Sequence, residues 1–444
     1  MITTPIFDFV QDYKLKNATR MHMPGHKGMC VLGCEDIDIT EIDGADSLYN
    51  ASGIIKSSEQ NASDLFGCHT FYSTEGSSQC IKAMLYLATI NNKSNNKPLI
   101  FAARNVHTSF LSVAALLDLD VQWLYEQNQS SYLKCVITAE KLESALQNAK
   151  EMPCAVYLTN PDYLGNMCDI YSISKVCKKY GVLLLVDNAH GAYLKFLPKS
   201  LHPMDLGADM CSDSAHKTLP VLTGGAYLHI NKNVEADLVN KAKTALSLFG
   251  STSPSYLILQ SLDLANKYLY TDFKNDLISL IKSIDNLKSS LLNAGYTLLG
   301  DEPLKITINA NKYGYTGAEL AKFLNKNNVF CEFYDASFLV LMLTPQTSEK
   351  DLLLLEKALL SIPQRQEIAC APPVFNKPQR VLSIRNAVFE KSEILPLKEC
   401  LGKTLASVNL PCPPAVPILV SGEKIDQNAI EIFKYYGINT LSVI

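Results

Sequence analysis

Between residues 78 and 187 the spacing of apolar positions changes repeatedly, and each change marks a new element. SQCIKAMLYLATI (78–90) has apolar residues at helical spacing, which predicts a helix. PLIFAA (98–103) is a short apolar run and predicts a strand, and TSFLSVAALL after it predicts a helix. VQWLYE (121–126) predicts a strand, and AEKLESALQNAK (139–150) a helix with one polar face. CAVYLTN (154–160) predicts a strand ending at Pro161. SISKVCKKYG (172–181) predicts a helix closed by Gly181, a common C-terminal residue. VLLLVD (182–187) is apolar throughout, as a strand buried on both faces should be. Strands alternating with helices imply an α/β fold with a mostly parallel sheet covered on both sides.

The texture differs at both ends. Before residue 65 there is no long regular period, and segments such as MHMPGHKG and IDGADSLYNASG suit an extended arm. After TSPSYLILQSLD (252–263), the predicted helices TGAELAKFLNKNN and TSEKDLLLLEKALLSI flank the predicted strands VFCEFYD and FLVLML, an α+β pattern. A Pro-rich tail, NLPCPPAVPILVSGEKI, follows. The expected division is an N-terminal arm (1–65), a large domain (66–262) and a smaller α+β C-terminal domain (263–444). A chain of 444 residues exceeds what one core usually supports.

Composition narrows the function classes. Hydrophobic residues make up 47% and charged residues 19%, as in a well-packed soluble protein. A net charge of -4 argues against a nucleic-acid partner. No apolar run is long enough to span a bilayer, and the start lacks a basic leader followed by an apolar stretch, so no signal peptide is expected. The 13 cysteines are scattered singly, without a C-x-x-C pair, and suit reduced thiols in a cytoplasmic protein. No metal site is expected.

Four features carry candidate chemistry. In SDSAHKTLPVLTGGAYLHI (212–230), Lys217 follows His216 in a turn of small polar residues, with Ser212, Ser214 and Thr218 beside it. A lysine that forms an imine must lose its proton in a partly desolvated pocket, although a lysine near serines is ordinarily a solvated one. Asp187 ends the most apolar strand, where open parallel sheets place their ligands. A carboxylate there can pair with a protonated pyridine nitrogen and keep the ring an electron sink, or simply cap a turn. Gly76, Ser77 and Ser78 precede a helix, which makes a phosphate cradle or ordinary N-capping. His107, just after the run 98–103, can stack on a flat heteroaromatic ring or serve as a hydrogen-bonded structural residue.

Cradle, histidine, strand-end aspartate and His-Lys occur in an order and spacing similar to those of fold type I PLP enzymes, the aspartate aminotransferase-like class. More specifically, the chain resembles the Orn/Lys/Arg decarboxylase family in its short form, which lacks the N-terminal wing domain. The segments that carry the resemblance include TPIFDFVQDY, RMHMPGHKG, DITEIDGADSLY, STEGSSQCIKAMLYLA, YLTNPDYLGNMCDI, VDNAHGAY, SDSAHKTLP, TSPSY and PPAVPILVSGE, from residue 4 to about 424.

The resemblance implies pyridoxal 5'-phosphate as cofactor, with Lys217 as its Schiff-base lysine, Asp187 as partner of the pyridine nitrogen and His107 stacked on the ring. It further implies Ser77, Ser78 and Ser214 as phosphate ligands, Ala189 and His190 close to the ring face, and His216 as a candidate acid at Cα. A homodimer is implied, with the active site at its interface and TSPSY or the N-terminal arm reaching the partner's cofactor. The implied reaction is decarboxylation of a basic amino acid, arginine first, lysine second and ornithine third, with a place in polyamine biosynthesis. An aminotransferase, a C–S lyase and a non-catalytic relative are the alternatives.

The chain departs from the family pattern at several points. Asn188 stands where relatives often have an acid, and Thr108 where a lysine often follows the histidine. Cys412-Pro413-Pro414-Ala415 replaces Tyr-Pro-Pro-Gly, and Arg385 lacks its usual preceding Pro and following acid. Glu332, Asp335, Asp46 and Glu423 are the carboxylates available to receive a basic side chain.

Overall fold

The computed structural model describes residues 2–92, 96–126, 131–369, 373–407 and 414–444. In chain order the strands are β1 (His69–Ser73), β2 (Leu99–Ala103), β3 (Asp120–Leu124), β4 (Ala155–Thr159), β5 (Leu183–Asp187), β6 (Met210–Asp213) and β7 (Ala226–Ile230). There follow β8 (Leu298–Leu299), β9 (Lys305–Asn309), β10 (Phe333–Tyr334), β11 (Phe338–Met342), β12 (Glu393–Pro396) and β13 (Thr440–Val443). The helices are α1 (Pro5–Leu15), α2 (Ile54–Phe66), α3 (Ser77–Ile90), α4 (Thr108–Leu116), α5 (Ala139–Gln147), α6 (Ile170–Tyr180), α7 (Ala215–Thr218), α8 (Ala236–Asn240) and α9 (Ala242–Ser247). The remainder are α10 (Tyr256–Thr271), α11 (Phe273–Asn293), α12 (Gly317–Lys326), α13 (Glu349–Leu360), α14 (Ile384–Phe389) and α15 (Gln427–Tyr435).

Two compact units share these elements, residues 1–93 with 170–276, and residues 94–169 with 277–444. Seven strands belong to the large sheet, four in the first unit in the order β1-β7-β6-β5 and three in the second in the order β4-β2-β3. The β5–β6, β2–β3 and β2–β4 pairs are parallel, while β7 runs antiparallel to β6 and to β1. The second unit also holds a four-stranded antiparallel sheet, β10-β11-β9-β8, and the ribbon β12-β13. Helices α12 and α13 lie where their periodicity put them. VFCEFYD, expected to be a full strand, pairs only at Phe333 and Tyr334.

In the first unit, α3 packs on β5, β6, β7 and β1. Cys80, Ile81, Ala83, Met84, Leu85, Leu87 and Ala88 are all buried, so this helix is apolar almost all round. Burial of a side chain such as Leu85 or Met84 contributes about 2 kcal/mol. That packing fixes the helix whose N-terminus faces the site.

The N-terminal stretch differs from the extended arm expected of it, because it contains α1 and α2. Helix α1 has Pro5 in its first turn, Asp8 near its positive end, and only Ile6 and Val10 buried. Its free N–H groups are satisfied from far along the chain. Ile6 N and Phe7 N donate to Asp263 Oδ2 of α10 at 2.9 and 3.0 Å, and Ser58 Oγ of α2 donates to Asp263 Oδ1. A local pattern does not reveal such a cap.

Burial pushes the Asp263 carboxyl up to about 6 from its ordinary 3.8, against the hydrogen bonds from Ser58, Phe7 and Ile6. A raised folded-state value means that the folded chain holds this proton more tightly than the unfolded chain. The resulting stability is fully present below pH 3.8 and lost as pH rises through about 6. Asp263→Asn removes this titration. Its melting temperature relative to the parent should therefore climb as pH rises from about 4 to about 6. A difference that is flat across that window, measured by thermal denaturation, would show that the carboxyl does not titrate there.

No helix among the described residues is long and apolar enough to cross a membrane.

Candidate active site

The parallel β5–β6 register builds the centre of the site. Asp187, the last residue of β5, lies opposite Ser212, and Asn188 N donates to Ser212 O at 2.9 Å. Two residues beyond Ser212 the chain leaves β6 and enters the single turn α7, which carries Lys217. The 30-residue interval between Asp187 and Lys217 thus returns the chain to the strand beside β5.

Asp187 is 2% exposed. Its Oδ1 accepts from Ala189 N at 3.3 Å and from Ser212 Oγ at 3.5 Å. Lys217 is half-buried, and its Nζ stands 2.9 Å from His190 Nε2 on the segment that follows Asp187. Lys217 N donates to Ser214 O. His216 is tied down by its own backbone and ring, since N and Nδ1 both contact Gly225 O, at 3.2 and 3.1 Å.

The third part is the start of α3. Its cap is Gly76, with φ 72° and ψ 176°, a conformation that L side chains rarely adopt. Sequence alone allowed Ser77 or Ser78 to cap this helix. No side chain caps it, and the Ser77 hydroxyl is directed elsewhere, receiving a hydrogen bond of 2.7 Å from Ser214 Oγ. Ser78 follows in the first turn. Gly76 N donates to Gly224 O at 2.8 Å, and a Cβ on Gly224 would come within 3.0 Å of Thr74 O. The Gly224-Gly225 pair therefore joins the Gly76 loop to the lysine turn.

Gly76, Ser77, Ser78, Asp187, Ala189, His190, Ser214, His216 and Lys217 all belong to the first unit. His107 belongs to the second. It stands four residues beyond the end of β2 as the N-cap of α4, where Nδ1 accepts from Ser109 N at 3.1 Å and contacts Ser109 Oγ at 2.8 Å.

One group in the site escaped the sequence reading. Asp213, fully buried beside Ser214, meets His202 Nε2 at 2.9 Å and His229 Nε2 at 3.2 Å through Oδ2. Its Oδ1 accepts from Asn188 Nδ2 at 2.7 Å. Burial alone would raise this carboxyl, but the two imidazoles outweigh it and hold Asp213 far below the usual range. Desolvation works against protonation of His229, and the neighbouring Cys68 and Asp213 outweigh it and raise its affinity for a proton. Asp213 thus anchors both β6, before the lysine turn, and the residue after Asp187. His202, Cys211 and Asp213 also offer three atoms within 4.8 Å of one another, but His202 and Asp213 already use theirs on each other. The one signal in the sequence was two histidines and an aspartate within 28 residues of one another.

The candidate carboxylates for a basic side chain divide clearly. Asp46 accepts backbone N–H bonds from Ser47, Ser52, Gly53, Ile55 and Lys56 around the start of α2. Burial pushes its carboxyl up, and these donors more than reverse that. Glu423 is paired with the buried Arg104 at 2.9 Å. Glu332 is exposed and accepts from Tyr163 Oη at 2.9 Å. Asp335 uses one oxygen in its own loop. Cys412 and Pro413, in the altered tail motif, lie outside the described residues.

These residues fit a phosphorylated pyridine aldehyde. A helix start without a side-chain cap offers N–H groups beside paired serine hydroxyls, the donor set that a phosphate needs. A buried carboxylate ends β5 and a half-buried lysine sits on the turn after the neighbouring β6, the two groups that a pyridine nitrogen and an aldehyde need. The fold is that of a fold type I pyridoxal-phosphate enzyme, and these residues fit its cofactor.

Comparison with known proteins is consistent with this class and narrows it. The profile for "Orn/Lys/Arg decarboxylase, major domain" matches residues 4–299, and that for "Orn/Lys/Arg decarboxylase, C-terminal domain" matches residues 368–440. The chain belongs to the Orn/Lys/Arg decarboxylase family and is a pyridoxal-phosphate-dependent amino-acid decarboxylase. It is 29% identical to an arginine decarboxylase of Halalkalibacterium halodurans, over 96% of this chain and 91% of that protein. It is likewise 29% identical to an arginine decarboxylase of Bacillus subtilis, over 97% and 93%. The crystal structure of a Francisella novicida lysine decarboxylase shares the fold, with a TM-score of 0.81, 17% identity, and coverage of 100% of this chain and 81% of that one.

Proposed function

We propose that the chain decarboxylates arginine in preference to lysine and ornithine, releasing CO₂ and the corresponding amine. The observation that supports the active-site assignment is the placement of Lys217 Nζ 2.9 Å from His190 Nε2, on the turn that follows β6, the strand whose Ser212 lies in register with Asp187. The preference for arginine is supported by relatives that bear that name across nearly their whole length.

When bound, pyridoxal phosphate supplies an electron sink for the pair released as the Cα–carboxyl bond breaks. Lys217 would hold the cofactor through its side-chain amine. The Asp187 carboxylate would serve as partner of the ring nitrogen and favour its protonated form. Ser77, Ser78, Ser214 and the start of α3 would hold the phosphate. Ala189 and His190 would border the ring, and His107 is the residue that the family resemblance would stack on it. His216, fixed by Gly225, delivers a proton to Cα. Asp213 positions Asn188 and the lysine turn without touching the reacting atoms.

The geometry of Arg385 bears on the aminotransferase alternative. Such an enzyme would use an arginine for the substrate carboxylate, whereas Arg385 donates to Ala115 O and Leu116 O at the end of α4, at 3.0 and 3.2 Å. We also propose a cytoplasmic homodimer that contributes to polyamine biosynthesis. The eleven described cysteines are free thiols, in keeping with a reducing compartment.

The test is incubation of the holoenzyme with a panel of amino acids, measuring CO₂ and amine. Arginine should be turned over fastest, with kcat/KM at least about tenfold above lysine. Keto-acid formation without CO₂ would refute decarboxylation, and equal rates on lysine would refute the substrate order.

A further inference from the structure

Within the second unit, the loop between β10 and β11, helix α15 and the segment around Val416 line a half-open cavity of about 510 Å³. Its walls include Tyr132, Phe333, Tyr334, Asp335, Tyr435 and Tyr436. Tyr436 stands edge-on to Tyr132 and Tyr435, with ring centres 4.7 and 5.0 Å apart. No Lys, Arg or His lines the cavity among the described residues.

Asp335 is the charged group in this aromatic box. Its Oδ1 accepts from Ser337 N and Phe338 N, both at 2.7 Å, which fixes the carboxylate in place. Its Oδ2 is buried and has no hydrogen-bond partner among the described residues. A buried carboxylate oxygen left without a donor is costly, and burial pushes the Asp335 carboxyl up. Aromatic faces around such an oxygen attract an organic cation.

We propose that this cavity binds an alkylguanidinium or alkylammonium ion, with Asp335 Oδ2 accepting from its head and the tyrosine rings enclosing it. The lining also says what the ligand lacks. An amino acid would bring its own carboxylate beside Asp335 into a space without a basic side chain. The ligand is therefore an amine without a carboxylate, the chemical class that decarboxylation of a basic amino acid produces. This binding rests on the second unit's geometry and does not require the assignment of Lys217.

The test is isothermal titration of the borohydride-reduced holoenzyme, in which Lys217 is blocked, with agmatine, cadaverine and arginine. A guanidinium or ammonium amine should saturate one site per chain, and arginine should bind at least about tenfold more weakly. Asp335→Asn and Tyr436→Leu should each weaken amine binding by about tenfold or more, while Tyr436→Phe, which keeps the ring, should hold it within about threefold. Ala318→Trp, at an exposed position on the cavity rim, should block binding without disturbing the core and carries the test if Asp335→Asn fails to fold. Lys217→Ala should bind the amine as the parent does. The proposal is overturned by absence of saturable amine binding, by unchanged affinity in the Asp335 and Ala318 variants, by arginine binding as tightly as the amines, or by loss of binding in Lys217→Ala.

Discussion

Lys217→Ala should lower decarboxylation by roughly 10³- to 10⁶-fold, the range expected when the group that forms the covalent bond is removed. The loss should appear in kcat, because substrate and cofactor retain their other contacts. Folding should be little affected. Lys217 lies on a four-residue turn, is half-buried, and contributes no large apolar surface to the core. The variant should therefore melt close to the parent and still bind cofactor without a covalent link. Borohydride treatment followed by peptide mass analysis should place the cofactor on Lys217 in the parent and on no residue in the variant. A variant that kept a tenth of the parent's rate would remove Lys217 from the chemistry.

The second large effect concerns stability. Arg104 follows β2 directly and is 1% exposed. Its guanidinium donates to Pro417 O at 3.2 Å, to Ile418 O at 3.0 Å and to Glu423 Oε2 at 2.9 Å. Glu423, 2% exposed, also accepts from Val420 N at 2.8 Å. The pair thus ties residues 417–423 to the end of a central strand of the same unit. Arg104→Met would leave a buried carboxylate without its partner and should cost about 3–5 kcal/mol. Removing both charges relieves that penalty, so Arg104→Met with Glu423→Leu should recover more than half of the loss. Denaturant midpoints of the two single variants and the double variant measure the coupling. Single losses that simply add in the double variant would show that the two charges do not act as a pair.

Much of the large sheet was legible because its strands are short, continuously apolar and separated by helical periods. Leu183–Asp187 needs no knowledge of its neighbours to be recognised as a buried strand. The lysine turn and the strand-end aspartate were legible for a related reason, since each stands at an abrupt change from apolar to polar sequence. What escaped depended on partners distant in the chain. Helix α1 has two buried side chains and a cap supplied from residue 263, so its own sequence shows little amphipathic pattern. The long helices α10 and α11 showed only as a change of texture after residue 252. Asp46 and Glu423 looked like acids available for a ligand, yet their acceptors are used by backbone and by Arg104. At the start of α3, capping by Ser77 or Ser78 was one of two readings beside a phosphate cradle, but Gly76 is the cap residue and the Ser77 hydroxyl meets Ser214.

Asn188 gives its amide to a carboxylate that two imidazoles already hold ionised. An aspartate in its place would set like charges face to face and bring a proton inventory that changes with acidity. With an amide, the wall behind Asp187 owes this contact to covalent composition, so acid or alkali cannot dismantle it by titrating residue 188.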